Sequence, residues 1–265
     1  MVLNARSLTG NIATILGAVF LAICSSVALA DDPPAAEEWQ HSVDIYLWGA
    51  AVGGETNSGT GVDVSFGDLL DNLEFSAMGA YQVRKGKWSV MADVIYLDVS
   101  NTETVELGGD FLTVPAEVDV GLTSWVVHAG GAYRFYEGNG GTMAGLTFGA
   151  RYLDMSTDIL VAFDSRIPEL DPEIPISASE GVLDVFAGLH GVVSLGERWY
   201  LPWAANVGTG DSDISWSALL GVGYRASERW NAVLSYRHQA WEFDNTAIIG
   251  DLEFSGPMLG AVFHF

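Results

Sequence analysis

The chain has 265 residues, of which 49% are hydrophobic and 17% are charged, with a formal net charge of −23 and a mean hydropathy of +0.25. This strong negative charge excludes nucleic acid and anionic lipid headgroups as diffuse partners and favours cations. The single cysteine, Cys24, lies near the amino terminus, so neither disulfides nor cysteine-bound metals can stabilise the rest of the chain.

The first thirty residues have the features of a cleaved secretory signal peptide. Arg6 is their only charge, residues 12–23 are apolar, and residues 28–30 form a small-x-small cleavage site. The apolar run is too short to span a bilayer as a helix. We therefore expect a signal peptide at 1–30, an acidic proline-containing segment at 31–38, and a single domain at 39–265.

The sequence of this domain alternates between apolar and small or polar residues with a period of two. The clearest case is 214–225, where one face carries apolar side chains, namely Ile214, Trp216, Ala218, Leu220, Val222 and Tyr224. The domain has no run of about 20 consecutive apolar residues, which a spanning helix needs. Alternation of this kind fits strands of a barrel, with one face toward lipid and the other toward the lumen.

Ten such runs lie between turn signals, near 39–53, 73–84, 87–107, 111–136, 142–163, 176–195, 198–209, 213–225, 229–243 and 250–265. An even number places both ends of the domain on one side of the membrane. The predicted fold is all-β, a transmembrane antiparallel up-and-down β-barrel of ten strands. The alternative is eight strands, with two elements merged around 198–225.

The connections alternate between short and long, which supports this order. Residues 85–87, 137–141, 196–198 and 226–228 have the composition of tight periplasmic turns. Longer outer loops are predicted at 54–72 and 164–175, and a hairpin near 99–120 should project above the membrane. The apolar spacing in 66–73 fits either a short helix that caps the barrel mouth or a plain loop.

Charged and aromatic residues follow the same division. Most basic residues lie beside the short turns and most acidic residues near the outer loops, as expected either of wet loops or of a cation-attracting surface. Two interfacial girdles are predicted, Trp88, Tyr136, Trp199, Tyr224 and Trp230 on the periplasmic side, and Trp48, Tyr96, Tyr152 and Trp241 on the outer side.

The final strand carries a terminal aromatic pattern. Phe263 and Phe265 point to the same face as Leu259 and Ala261. This ending resembles the assembly signal of outer-membrane barrels, which implies recognition by the barrel-assembly machinery.

Several phrases along the domain resemble an uncharacterised family of proteobacterial outer-membrane β-barrel proteins. They are Tyr46-Leu47-Trp48, residues 63–66 and 68–73, Gly86-Lys87-Trp88, residues 93–97, Gly149 with Arg151 and Tyr152, residues 216–225, and Ser255-Gly256-Pro257. The resemblance covers nearly the whole domain. It implies the fold and an outer-membrane location, and it carries no assigned chemistry.

The alternation also selects charged side chains that should line the lumen. They are Glu74, Arg84, Asp93, His128, Arg134, Arg151, Asp184, His190, Arg225 and Arg237. Charges removed from water must pair or stay hydrated, so this set indicates a network of lumenal salt bridges that closes the barrel. The alternative is a narrow hydrated path that selects small ions or solutes.

Catalysis is a third reading, because some small outer-membrane barrels are hydrolases. Of the histidines only His128 and His190 are placed to act, and Ser124 lies about 13 Å from His128 along the strand. Neither a phosphate-cradling glycine motif nor a close set of metal ligands is present. We therefore expect no enzyme, metal or cofactor.

The function predicted from the sequence is that of a monomeric integral outer-membrane β-barrel with a structural or surface role. Its partners would be outer-membrane lipids and lipopolysaccharide, the barrel-assembly machinery, and divalent cations that link the acidic loops to lipopolysaccharide phosphates. Nucleic acid is not expected as a partner. A narrow channel is the alternative, and an outer-membrane hydrolase is a more distant one.

Overall fold

The computed structural model describes residues 38–56, 61–109, 112–163, 173–243 and 249–265. The predicted signal peptide, 1–30, and residues 31–37 of the acidic segment lie outside the described residues. Most of the predicted outer loop at 164–175 also lies outside them.

Ten antiparallel strands form a closed barrel. In ring order they are β1 (Gln40–Trp48), β4 (Leu73–Lys85), β5 (Trp88–Gly109), β6 (Leu112–Glu137), β7 (Met143–Phe163), β8 (Glu173–Ser194), β9 (Trp199–Gly210), β10 (Ile214–Arg225), β11 (Trp230–Glu242) and β12 (Ile249–His264). The ring closes because β1 also pairs with β12, from Ser42↔His264 to Trp48↔Met258. The predicted ten-stranded barrel is confirmed. The alternative of eight strands is wrong, since β9 and β10 are separate strands joined at residues 211–213.

The two faces of each strand differ in the way that the alternation predicts. On β10, Leu220 is 63% exposed on the outer face, whereas Ser215 is fully buried on the inner face. Outward side chains such as Ile45, Val185 and Leu234 are likewise exposed and apolar. A belt of this kind is stable only against a hydrocarbon surrounding.

The first predicted strand, 39–53, is interrupted at Gly49 and Ala50. After the break, β2 (Ala51–Thr56) continues along β12 and pairs with a short strand, β3 (Gly61–Val64). The break brings the carbonyl oxygen of Gly49 to within 2.0 Å of where a Cβ of Gly256 would lie. Gly256, which has no Cβ, therefore allows the two backbones to approach.

The predicted loop at 54–72 contains the end of β2, the whole of β3 and a helix, α1 (Phe66–Asp71). Ser65 caps α1, because its hydroxyl accepts from the Asp68 backbone N–H, while the Asp68 carboxylate accepts from the Ser65 N–H. Of the two alternatives for this segment, the helix is correct. No helix in the described part of the chain is long and apolar enough to cross a membrane.

The strand ends differ on the two sides of the barrel. On the periplasmic side, tight turns use glycines with positive φ, Gly86, Gly140, Gly141 and Gly196. On the outer side, β5 and β6 have 22 and 26 residues and pair as far as Gly109↔Leu112. Because about 9–11 residues span a membrane, this hairpin extends well beyond the bilayer, as predicted for 99–120.

Aromatic pairs mark the interfaces. The periplasmic side has Trp88–Tyr133, Trp199–Tyr224 and Trp230–Phe263, each with ring centroids less than 5 Å apart. On the outer side, Tyr96 lies between Phe75 and Trp125. The prediction for Trp48 and Trp241 is wrong, because both are buried inside the barrel at 6% and 1% exposure. Both share a strand face with other inward side chains, Tyr46 and Gln239 respectively.

Candidate functional site

Asp93 is the centre of a polar cluster in the barrel interior. Its carboxylate accepts hydrogen bonds from the Tyr46 hydroxyl and, at 3.0 Å, from Arg237 Nη1. His128 Nδ1 lies 3.5 Å from the same carboxylate. All four side chains are buried, so the carboxylate exchanges water for three polar partners.

Gln239 extends this cluster across the lumen. Its Oε1 accepts from Arg237 Nη2 at 3.0 Å, and its Nε2 lies 3.1 Å from His128 Nε2. Strands β6 and β11, which carry His128 and Gln239, occupy opposite positions in the ring of ten. The side chains therefore meet in the middle of the barrel. We call Tyr46, Asp93, His128, Arg237 and Gln239 the polar cluster.

Arg151 and Asp184 form a second set of polar contacts beside the polar cluster. Arg151 donates from Nη2 to Asn206 Oδ1, and its guanidinium lies over the rings of Phe186 and Trp241, at 5.4 and 5.8 Å. Asp184 accepts from the Ser212 hydroxyl at 2.7 Å and from the Ser212 N–H at 3.1 Å. Both charged side chains are fully buried, so they add to the filling of the lumen.

An apolar tier lies directly outside this polar level. On five strands, the buried residue two positions nearer the outer surface is apolar, and the pairs are Tyr46/Trp48, Asp93/Ile95, His128/Val126, Arg151/Leu153 and Asp184/Val182. Trp241 follows Gln239 in the same way. These side chains pack together with Leu252, Phe254 and Met258 in one buried cluster. On these strands an apolar level therefore lies outside the polar level, while on β10 the fully buried Ser215, opposite Trp241, places a hydroxyl at the apolar level.

Four of the predicted lumenal residues lie nearer the periplasmic end. Arg84 donates to Gln40, and Arg134 donates to the Gly86 carbonyl at 2.7 Å and pairs with Glu137. Arg225 lies over the Tyr200 ring and donates to the carbonyls of the 196–198 turn. His190 is half-buried, and its Nε2 has no hydrogen-bond partner among the described residues. None of these four joins the polar cluster.

Glu74 does not line the lumen, in contrast to the prediction. A bulge between Leu73 and Phe75 shifts the register of β4 against β5, and Glu74 is exposed there, where it accepts from the Ser100 hydroxyl at 2.9 Å. A one-residue shift exchanges the two faces of a strand. Counting every second residue along the sequence therefore gives the wrong face for Glu74.

Several neutral members of the interior were missed by the sequence reasoning. Tyr46, Asn206, Ser212 and Gln239 all hydrogen-bond to the predicted charged residues. The prediction considered charged side chains only. Tyr46 and Gln239 could have been found, because each has the inward parity of its strand and a polar side chain that a lipid-facing position disfavours.

The geometry does not assemble a hydrolytic centre around His128. Its ring nitrogens face Asp93, Arg237 and Gln239, and no hydroxyl nucleophile among the described residues is hydrogen-bonded to it. Within the described ranges, no group of three or more His, Cys, Asp or Glu side chains is arranged to hold a metal ion.

No family model matches the sequence, and no curated protein matches it significantly. Among solved structures, the chain is similar to the translocator domain of autotransporter NalP from Neisseria meningitidis, with 17% identity, a TM-score of 0.46 and coverage of 97% of each chain. It is also similar to the outer membrane protease OmpT from Escherichia coli, with 11% identity, a TM-score of 0.43 and coverage of 91% of this chain and 100% of that one. A third is Ail, the attachment invasion locus protein of Yersinia pestis, in complex with the heparin analogue sucrose octasulfate, with 15% identity, a TM-score of 0.38 and coverage of 86% and 99%.

The location follows from the barrel's own surface. A closed antiparallel ring, an apolar outer face and aromatic pairs at both ends of the strands together require a lipid surrounding. The chain is an integral outer-membrane β-barrel of the Gram-negative type.

Proposed function

We propose that this outer-membrane barrel is closed to ions and has a structural role, with an acidic outer surface that attracts divalent cations and, through them, lipopolysaccharide. The observation that carries the first part is the contact between His128 and Gln239 across the full width of the lumen. The proposal includes the absence of enzymatic activity.

The interior supports a closed barrel over the alternative of a narrow channel. An ion that crosses the membrane needs a continuous hydrated path or a series of replacement ligands. Here the side chains of the polar cluster bond to one another, and most of the side chains in the tier outside it are apolar and cannot bind an ion. An ion would have to lose its hydration at Trp48, Trp241 and Phe254, which is energetically costly.

The charge at the outer rim supports the second part. Exposed carboxylates there include Asp63, Asp71, Asp158, Asp211, Asp251 and Glu253. On the periplasmic side the exposed charges are mixed, with Lys85, Lys87, Arg198 and Arg229 beside Glu137, Glu197 and Glu228. Since the described residues contain no arranged metal site, we propose a diffuse attraction that salt weakens, in which cations bridge rim carboxylates and lipopolysaccharide phosphates.

The remaining parts of the proposal concern export and assembly. The signal peptide would direct the chain to the periplasm, and the barrel-assembly machinery would recognise the strand that carries Phe263 and Phe265. The barrel would act as a monomer within the lipid and lipopolysaccharide of the outer membrane. Membership in the uncharacterised barrel family that the sequence resembles belongs to this proposal as well.

The test is to refold the domain and record planar-bilayer currents with and without millimolar calcium. Protein that is folded, as judged by its altered migration on unheated gels, should give no discrete current steps in either condition. Reproducible steps from folded wild-type protein would contradict a closed barrel and restore the channel alternative.

A further inference from the structure

The wall of the barrel has a seam between β1 and β4. Among the described residues, their pairing runs from Gln40↔Arg84 to Ile45↔Gly79 and then stops. Beyond Ile45, β1 pairs with β12 alone, while β4 continues with β5, as in Met78↔Ile95 and Ser76↔Leu97. The outer half of this strand pair is therefore open.

A side chain replaces the missing backbone contact. The Trp48 N–H, which points toward β4, donates to the Met78 sulfur at 3.2 Å. A thioether is a weak acceptor compared with a carbonyl. Met78 therefore bridges the two strands where their backbone pairing has stopped, and it partly satisfies the exposed edge, which would otherwise be costly in lipid.

Helix α1 covers the seam from outside. The Phe66 ring lies over Gly49, since a Cβ at Gly49 would be 3.2 Å from Phe66 Cζ. Phe66 and Leu70 are nevertheless 43% and 54% exposed, and Leu47 beside the seam is 66% exposed. The cover therefore presents apolar side chains to both the seam and the outside, next to the exposed carboxylates of Asp68 and Asp71.

A cavity of about 130 Å³ lies behind the seam. It extends from the outward Leu47 and the α1 residue Leu70 to the inward Ile95 and Val126, which are 5% exposed. Among the described residues of its lining, the hydroxyl side chains are those of Ser76 and Ser124, and the others are apolar or aromatic. Apolar cavities of about 150 Å³ stay dry and accept a molecule such as benzene, so this one is large enough for several carbon atoms.

We propose that this cavity holds the end of a hydrocarbon chain from the outer leaflet, which enters sideways through the seam between β1 and β4. The seam faces lipid, and the neighbouring Phe75, Tyr96 and Trp125 form the aromatic cluster of the outer interface. A lipid chain at this depth reaches the opening without crossing water. Filling the cavity restores the dispersion contacts that its lining lacks. This binding site is independent of whether the lumen conducts.

The experiment uses the refolded domain in phosphatidylcholine vesicles, with a trace of phosphatidylcholine that carries a diazirine at the end of one acyl chain. After irradiation, adducts are mapped by mass spectrometry. We expect adducts on the inward residues Ile95, Met78 and Val126 as well as on outward residues such as Leu234. The inward residues Val182 and Phe186, which lie away from the cavity, should carry none.

Two variants and a matched control sharpen the result. Ser76→Leu fills the cavity and should abolish the inward adducts while leaving those on Leu234. Ser89→Leu places the same side chain on an inward position outside the cavity and should change nothing. Phe66→Ala, on the exposed helix, should increase the inward adducts, so the proposal remains testable if Ser76→Leu fails to fold.

Two results would overturn the proposal. Folded wild-type protein with adducts only on outward residues would show that lipid does not pass the seam. Inward adducts from a free aryl diazirine but not from the lipid probe would instead make a small apolar solute the occupant.

Discussion

His128 and Gln239 meet at 3.1 Å although they belong to strands on opposite sides of the barrel. Hydrogen bonds within the wall join neighbouring strands only. This contact therefore joins two halves of the ring across the lumen, together with the buried pair Asp93–Arg237, which links β5 to β11 in the same way.

Asp93→Asn should be strongly destabilising. It leaves the buried Arg237 guanidinium without its carboxylate, a loss of about 3–5 kcal/mol for a buried ion pair. Denaturant unfolding in detergent, followed by tryptophan fluorescence, measures the change. Glu137→Gln breaks the more exposed pair with Arg134 and should cost less than about 1 kcal/mol. Equal losses from the two variants would show that burial of the first pair has no energetic effect.

Opening the lumen requires removal of side chains from both tiers. The double variant Gln239→Ala with Trp241→Ala removes one inward side chain from each level on β11, and folded protein should then show small current steps in planar bilayers. Leu234→Ala with Tyr236→Ala changes the outward face of the same strand and should stay silent. Steps of equal size from both double variants would place the path outside the lumen.

Neutralising the rim should weaken calcium association. A variant with Asp63→Asn, Asp71→Asn and Asp251→Asn removes three exposed outer carboxylates. The calcium-dependent change in electrophoretic mobility of vesicles that carry the protein should shrink, and the effect should fade at high salt. A variant with Lys85→Gln and Lys87→Gln at the periplasmic turn serves as the control for altered net charge. An unchanged calcium response of the rim variant would remove support for the cation role.

Gly256→Ala should impair folding, because the new Cβ would lie 2.0 Å from the Gly49 carbonyl oxygen, which is backbone and cannot rotate away. Overpacking of this kind costs about 1–3 kcal/mol or more. Gly67→Ala is the matched control, since its Cβ would meet only Ser65 Oγ at 3.6 Å and alanine favours the helix. The folded fraction on unheated gels compares the two, and a normal fraction for Gly256→Ala would contradict the close approach at the break.

Most of the barrel could be predicted from the sequence because the faces of a strand follow directly from a period of two. The inward orientation of Asp93, Arg151 and Arg237 can be predicted from the alternation of faces along each strand alone. Which of them meet depends on ring closure and strand stagger, so the contact of Arg237 with Asp93, 144 residues apart, has no local signal. Trp48 and Trp241 could be placed inside from the sequence, because they have the inward parity of Tyr46 and Gln239, and parity is a better guide than a position near a strand end.

The seam could not be predicted for a related reason. Residues 46–48 and 76–78 alternate like any paired strand segments, and nothing local records that their partners lie on one side only. The bulge at Glu74 and the break at Gly49 could not be predicted either, because each depends on the register of a neighbouring strand.

The contact between His128 on β6 and Gln239 on β11 also has a mechanical consequence. Lateral pressure from a crowded membrane would flatten a hollow ring, but along this diameter it must compress Gln239 and Arg237 against His128, which are already in contact. Near the outer mouth, the described backbone pairing of β1 with β4 stops at Ile45, and the flexible Met78 side chain bridges the two strands beyond it. The barrel is therefore stiff across its middle and compliant at one place on its outer rim, and a change in membrane tension would deform it there first.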